Sequence, residues 1–241
     1  MVYAPSLLAA LLISLGVAGC AAQGTASLDQ NDPYESFNRA VFAGNQSLDR
    51  KVALPVARLY NRAVPESARA GIHNALYNLD QPVTLANDVL QGESTRASQT
   101  FGRLIVNSTI GVCGVFDEAT RMGIPNHTED FGQTLGVYGV GEGPYLVLPL
   151  LGPAPPRDLA GRVIDNFLDP LTYVKFHGYH AWTAVRAGMG LVDLRARNID
   201  TLEQIERSSV DIYASERSLY RQYRNSEIRN GKQDVSALPD L

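Results

Sequence analysis

Chemistry in this 241-residue sequence could come from four histidines, two cysteines and one glycine-dense tract. His177 and His180 form an H-x-x-H pair, but the H-E-x-x-H spacing that sets two imidazoles and a general base on one helical turn is absent. His127 lies in NHTEDFG beside Glu129 and Asp130, where an acid–base pair or a metal site is conceivable; a plain surface loop is the simpler reading. His73 falls in a helical stretch and is expected to be exposed. No G-x-S-x-G nucleophile elbow occurs. The tract at 135–153, LGVYGVGEGPYLVLPLLGP, carries Gly136, Gly139, Gly141 and Gly143, with Gly132 just before it. A phosphate loop of the Walker type needs a lysine and a hydroxyl where a helix begins. The three lysines are Lys51, Lys175 and Lys232, none near the tract. A dinucleotide fingerprint needs a following helix to face the pyrophosphate. Here Pro144 and the β-prone residues 145–151 follow instead. The tract therefore reads as a mobile or tightly turned segment, able to reach positive φ at several points.

The elements around these residues begin with an N-terminus that reads MVYAPSLLAALLISLGVAGC. Residues 7–17 suit the apolar core of a secretory signal. Val17-Ala18-Gly19-Cys20 resembles the bacterial lipobox, in which the cysteine sulfur is lipidated and becomes the new N-terminus. Two other readings are an uncleaved anchor over 2–22 and an ordinary secretory signal. Pro5, Ser6, Ser14, Gly16 and Gly19 weigh against the anchor, and the lack of Lys or Arg before the apolar core weighs against any signal. The expected organisation is a signal peptide at 1–19, a lipidated flexible tether at 20–33, one helical domain at 34–230 and a disordered tail at 231–241. Position 21 is not Asp, so the outer membrane is the expected destination. Cys113 is left as a lone thiol, expected to be a small buried hydrophobe.

Apolar residues make up 45% of the chain, near the globular average. Lys and Arg number 21 against 25 Asp and Glu, with no basic run, which argues against a nucleic-acid partner. The pattern is mainly helical. Residues 34–48 and 52–60 read as apolar helical pieces, the second broken by Pro55. Ala68, Ile72, Ala75, Leu76 and Leu79 make one apolar face, with Pro82 expected to break or kink the helix and Gly92 to close it. Ser94 is expected to cap the next helix, with Ala97, Phe101, Leu104 and Ile105 inward. Residues 157–189 are aromatic-rich and broken at Pro170. Residues 198–229 read as the strongest helix, capped through Thr201 and Gln204. Its acids precede its arginines, Arg217, Arg221, Arg224 and Arg229, which suits a solvated face ordered along the helix dipole.

DPYESFNR at 32–39, VPESARAGIHNALYNLDQPVTLANDVLQGE at 64–93, RLIVNSTIGVCGVFDEA at 103–119 and EDFGQTLGVYGVGEGPYLVLPLLGP at 129–153, followed by Arg157 and Asp158, resemble the VacJ (MlaA) family of outer-membrane lipoproteins. The resemblance implies a ring-like assembly of amphipathic helices lying in one membrane leaflet around a central polar channel. It implies a non-enzymatic protein without cofactor or metal that removes mislocalised phospholipids from the outer leaflet. The implied partners are a trimeric outer-membrane porin, a periplasmic lipid carrier that takes the lipid, and indirectly an inner-membrane ABC transporter. On that reading Cys20 is the lipidation site, Gly136, Gly139, Gly141 and Gly143 form the channel or mobile loop, and Lys175 is a candidate head-group contact. A lipid-anchored periplasmic hydrolase would depend instead on His127, His177 or His180. A purely structural lipoprotein would brace or assemble an outer-membrane protein without moving lipid.

Overall fold

The computed structural model describes residues 31–231. The expected signal peptide, Cys20, most of the tether and residues 232–241 lie outside the described residues.

Helix α1, Glu35–Leu48, runs through a π-helical segment, Asp49–Ala53, into α2, Leu54–Ala63. Pro55 does not break this path: it directly follows the π-helical segment, where the backbone has shifted to i−5 bonding, as the Leu54 N–H does to Asp49 O. Helix α3, Glu66–Leu90, also continues through Pro82. Its contacts with other helices along its length offset the lost bond. It ends as expected at a glycine: Gly92 has φ +74, its N–H bonds Val89 O, and the Glu93 N–H bonds Asp88 O. This double bond pattern satisfies the last carbonyls of the helix. Helix α4, Ser94–Thr109, then folds back on α3. Ser94 is its first helical residue, not its cap; Glu93 holds that place without a side-chain bond.

Two short helices are started by aspartates. Asp117 accepts from Thr120 N at the head of α5, Glu118–Arg121, and Asp130 accepts from Gln133 N at the head of α6, Phe131–Val137. The β-prone run after the glycines forms a small antiparallel hairpin, β1 Val147–Leu148 and β2 Gly152–Pro153, with Val147 opposite Pro153. Helix α7, Pro156–Leu168, ends before a 3-10 turn, Pro170–Thr172, so the expected break at Pro170 is present. Helix α8, Tyr179–Arg197, follows.

The single helix expected over 198–229 is two: α9, Ile199–Ser208, and α10, Ile212–Ile228. Ser209 and Asp211 take extended conformations, and the Asp211 carboxylate accepts from Ala214 N. That cap, together with the Arg39–Asp211 ion pair, fixes the bend. The Thr201 capping box does not form, since α9 starts earlier, after Asn198.

The helices close a circuit of contacts. Helix α2 packs on α8, α8 on α3, α3 on α7, α7 on α6, and α6 on α10. Helix α10 returns to the start of the chain through Arg217 and Asp32. Asp32, assigned by sequence to the tether, is fully buried, so the packed region starts ahead of Tyr34.

Burial along this circuit is inverted. Eight hydrophobic side chains are buried among the described residues against eighteen polar or charged ones, so apolar packing is not what fills the interior. The apolar core is confined to two small clusters, one around Ala57, Tyr60 and Ala196, the other around Tyr145, Val147 and Tyr213. On α4 the expected inward residues Phe101 and Ile105 are 54% and 49% exposed, while Thr100, Arg103 and Asn107 are buried. On α3 the buried positions are Gly71, Asn78, Gln81, Thr84, Asn87 and Asp88, and the expected apolar face is exposed or half-buried. Arg217 and Arg224, read from sequence as solvated, are buried. Cys113, expected to be buried, is exposed.

Candidate functional site

The interior is a chain of hydrogen-bonded and ion-paired polar clusters. Asp32 accepts from Arg217 Nη1, from the Tyr213 hydroxyl and, at 2.7 Å, from Asn38 Nδ2. Asn38 also donates to Tyr145 O at 3.0 Å and accepts from Val147 N at 2.9 Å, which ties the strand after the glycines to α1. Burying a charge is expensive unless it is paired and hydrogen-bonded, and here each partner is both.

A second cluster joins α10 to α6 and α7. Arg224 Nη2 donates to Asp130 at 2.9 Å and to Asp158 at 3.0 Å, while Arg157 and the Tyr220 hydroxyl also donate to Asp158. Burial pushes both carboxyls up, but the hydrogen bonds and guanidinium charge outweigh it and hold both below the usual carboxylate range. Close approach is built in by glycine: a Cβ on Gly161 of α7 would lie 2.2 Å from the Gly132 nitrogen of α6.

A third cluster spans α3, α4 and the segment before α6. Arg96 pairs with Glu129, and Gln91 donates to Glu129 at 2.8 Å. Burial raises the Glu129 carboxyl. Asp165 accepts from Asn87 Nδ2 and from Phe131 N, both at 3.0 Å. Burial, reinforced by the nearby Asp130 charge, still pushes it up to about 6. Arg103 completes the set, donating to both Asp117 oxygens at 3.0 Å and to Ile124 O at 2.7 Å.

The outer surface is apolar over a wide area. Leu59, Phe167, Leu191 and Tyr173 are among many large side chains left more than half exposed. Large apolar side chains exposed in this number are what contact with a membrane or another protein would cover. No helix among the described residues is long and apolar enough to cross a membrane.

The residues singled out by sequence are dispersed. Gly136 lies inside α6, where a Cβ would meet Ile228 at 2.6 Å. Gly139, at φ +83, ends α6, with its N–H on Gly136 O and the Val140 N–H on Leu135 O. Gly143, at φ +76, turns the chain against Pro156. Gly141 has nothing within 4 Å of a Cβ. Lys175 stands exposed in the 173–178 loop beside exposed Tyr173, Val174 and Phe176, on a different element from the glycines. His177 and His180 are exposed. His127 is not on a loose surface loop: its Nε2 lies 3.0 Å from both Asp88 oxygens and 3.1 Å from Thr100 Oγ1. His73 keeps a 42% exposed side chain with Nδ1 2.8 Å from Asp193. No group of His, Cys, Asp or Glu among the described residues is placed to hold a metal ion.

The buried charges went unnoticed in the sequence, although a signal was present. Asn78, Gln81, Thr84, Asn87 and Asp88, and then Thr100, Arg103 and Asn107, recur at helical spacing. They form polar stripes as regular as the apolar ones.

The MlaA lipoprotein family model matches residues 30–227. The intermembrane phospholipid transport system lipoprotein MlaA of Haemophilus influenzae is 34% identical over 244 residues, covering 98% of this chain and 96% of that protein. Its Escherichia coli counterpart is 36% identical over 219 residues, 88% of this chain and 84% of that one. A solved structure bearing on the structural basis for maintenance of bacterial outer membrane lipid asymmetry superimposes with a TM-score of 0.73 at 33% identity, over 82% of this chain and 98% of that one. On the residues matched and the fold shared, this chain belongs to the MlaA lipoprotein family.

Proposed function

We propose that this protein is an outer-membrane lipoprotein that takes mislocalised phospholipids out of the outer leaflet and passes them to a periplasmic carrier, for return to an inner-membrane ABC transporter. It lies in the periplasmic leaflet, held by acyl chains on Cys20 and by its own apolar surface, beside a trimeric porin. Its helices form a ring around a polar channel, and no step of its work is enzymatic.

The inverted burial carries this reading. A phospholipid head crosses hydrocarbon only at the cost of stripping its charges of water. A ring with an apolar outside stays in the leaflet, and a polar inside gives the head a hydrated path. Side chains such as Phe101 and Leu191 that would be a liability in water are buried when the surroundings are acyl chains. Each buried CH2 of the acyl anchor adds about 0.8 kcal/mol. The closed circuit of helix contacts supports the ring, and the names of the relatives support the cargo. Gly141, free of any packing or turn duty, is the position where the glycine segment can move. Lys175, set among aromatic residues of the kind favoured at membrane interfaces, contacts head-group phosphates.

The experiment measures outer-leaflet phospholipid in cells lacking this gene, read by acylation of surface lipid A or by a surface-reactive amine label. Wild-type and Cys20→Ala copies are returned separately. A rise corrected only by the wild type is expected. No rise, with porin assembly lost instead, would replace transport with a bracing role.

A further inference from the structure

A cavity of about 420 Å³ opens between the C-terminal end of α10 and the α3–α4 side of the fold. Tyr77, Arg96, His127, Thr128, Tyr223 and Glu227 help line it. Its guanidinium is already committed. Arg96 pairs with Glu129 and has Asp88 at 3.8 Å, and His127 is hydrogen-bonded to Asp88. Glu227 has no ion-pair partner among the described residues. An entering anion would meet the Glu227 carboxylate and no uncommitted guanidinium. An entering cation would meet that carboxylate and the exposed ring of Tyr223, whereas the Tyr77 ring already carries Arg103 at 5.7 Å and stacks on His73. Burial and the Glu227 charge both push the Tyr223 hydroxyl up, so its ring stays neutral and keeps the negative face that attracts cations.

We propose that this cavity binds an alkylammonium group, the charge carried by ethanolamine and choline head groups, with Glu227 as the counter-ion and Tyr223 as the aromatic wall. Its volume is in the range of small-ligand sites and larger than a head group requires. The assignment of that ammonium to a phospholipid rests on the transport reading above. It makes the protein selective for zwitterionic over anionic lipids.

The test uses the purified full-length protein in detergent micelles, titrated calorimetrically with dihexanoyl phosphatidylethanolamine, phosphatidylcholine and phosphatidylglycerol, and with free ethanolamine. The two ammonium lipids should bind about tenfold more tightly than the glycerol lipid, the scale of one desolvated cation–π contact with its counter-ion. Glu227→Gln and Tyr223→Leu should each erase that preference and leave the melting curve unchanged, and Glu227→Gln, which removes the charge that repels an anion, should not weaken phosphatidylglycerol binding. Equal binding of all three lipids, or a preference that survives Glu227→Gln, would overturn the site. Free ethanolamine binding as tightly as the lipid would make the ligand a free amine and overturn the head-group assignment. These titrations do not depend on the cell assay, so unchanged surface phospholipid on gene deletion would sink the transport reading while leaving ammonium binding measurable.

Discussion

Arg217, midway along α10, is buried against Asp32, which precedes α1, so the two ends of the described chain meet in one ion pair. Tyr213 and Asn38 complete the carboxylate's hydrogen bonds. Removing one partner strands the other charge in the interior, which costs about 3–5 kcal/mol. Asp32→Asn is therefore expected to be strongly destabilised. The double variant Asp32→Asn, Arg217→Met removes both charges and should recover most of the loss. Urea unfolding in micelles, followed by far-ultraviolet circular dichroism, measures both. A double variant as unstable as the sum of the singles would show that the pair is not coupled.

The outward face of α4 makes a second expectation. Phe101 and Ile105 are about half exposed and lie opposite the buried Arg103 and Asn107. Changing both to Asp in a Cys20→Ala background should leave folding intact, because neither fills the interior. It should weaken binding to phospholipid vesicles about a hundredfold, from roughly 1.5 kcal/mol lost per side chain. Vesicle flotation gives the readout. Unchanged flotation would mean that this face does not meet the membrane.

The helices were legible in the sequence and their inside was not. Periodicity marks a face without saying which way it turns. Phe101, Leu104 and Ile105 trace a real stripe on α4, and in water that stripe would pack inward. Here Thr100, Arg103 and Asn107 take the interior, because they satisfy Asp88 and Asp117 there. The arginines of α10 misled for the same reason. Their order suits a helix dipole, but the aspartates that claim Arg217 and Arg224 are Asp32, Asp130 and Asp158, far away in sequence. After the glycine tract the chain forms a hairpin, as Pro144 and the β-prone residues 145–151 lead one to expect, where a phosphate loop would need a helix. What each glycine does depends on neighbours that local spacing cannot name: Ile228 for Gly136 and Pro156 for Gly143.

The glycines also separate packing from function. Gly161→Ala would place a methyl against the backbone of Gly132, which has no flexible end to move aside. A loss of about 3 kcal/mol or more is expected, at the upper end of overpacking costs. Gly141 has neither a near neighbour nor a positive φ, so Gly141→Ala should be neutral or stabilising by about 0.5 kcal/mol. Thermal melts of the two variants decide this. With the fold unaffected, Gly141→Val should still raise outer-leaflet phospholipid in cells, and normal lipid asymmetry in that variant would remove the tract from the transport path.

Asp165 sets the last expectation, through pH. Its folded pKa of about 6 stands above the ordinary aspartate value of 3.8, so the folded state holds this proton more tightly than the unfolded one. Stability from this group is greatest below the unfolded value and is lost as pH rises through about 6. Asp130 and Asp158 act in the opposite sense: their lowered folded values give stability above the unfolded pKa that is lost as pH falls through the folded one. Burial raises Glu129 as well, so the Asp165 contribution is read between about pH 5 and pH 7.5 as the difference between the wild type and a variant at 165. Asn at 165 keeps one oxygen for both Asn87 Nδ2 and Phe131 N, which bond Oδ1 in the wild type. Asp165→Asn should therefore gain stability over the wild type on going from about pH 5 to pH 7.5, with the smaller difference at the lower value. Melting curves that stay parallel across that range would show that the carboxyl is already ionised at the lower pH, and that Asn87 and the Phe131 N–H outweigh its burial.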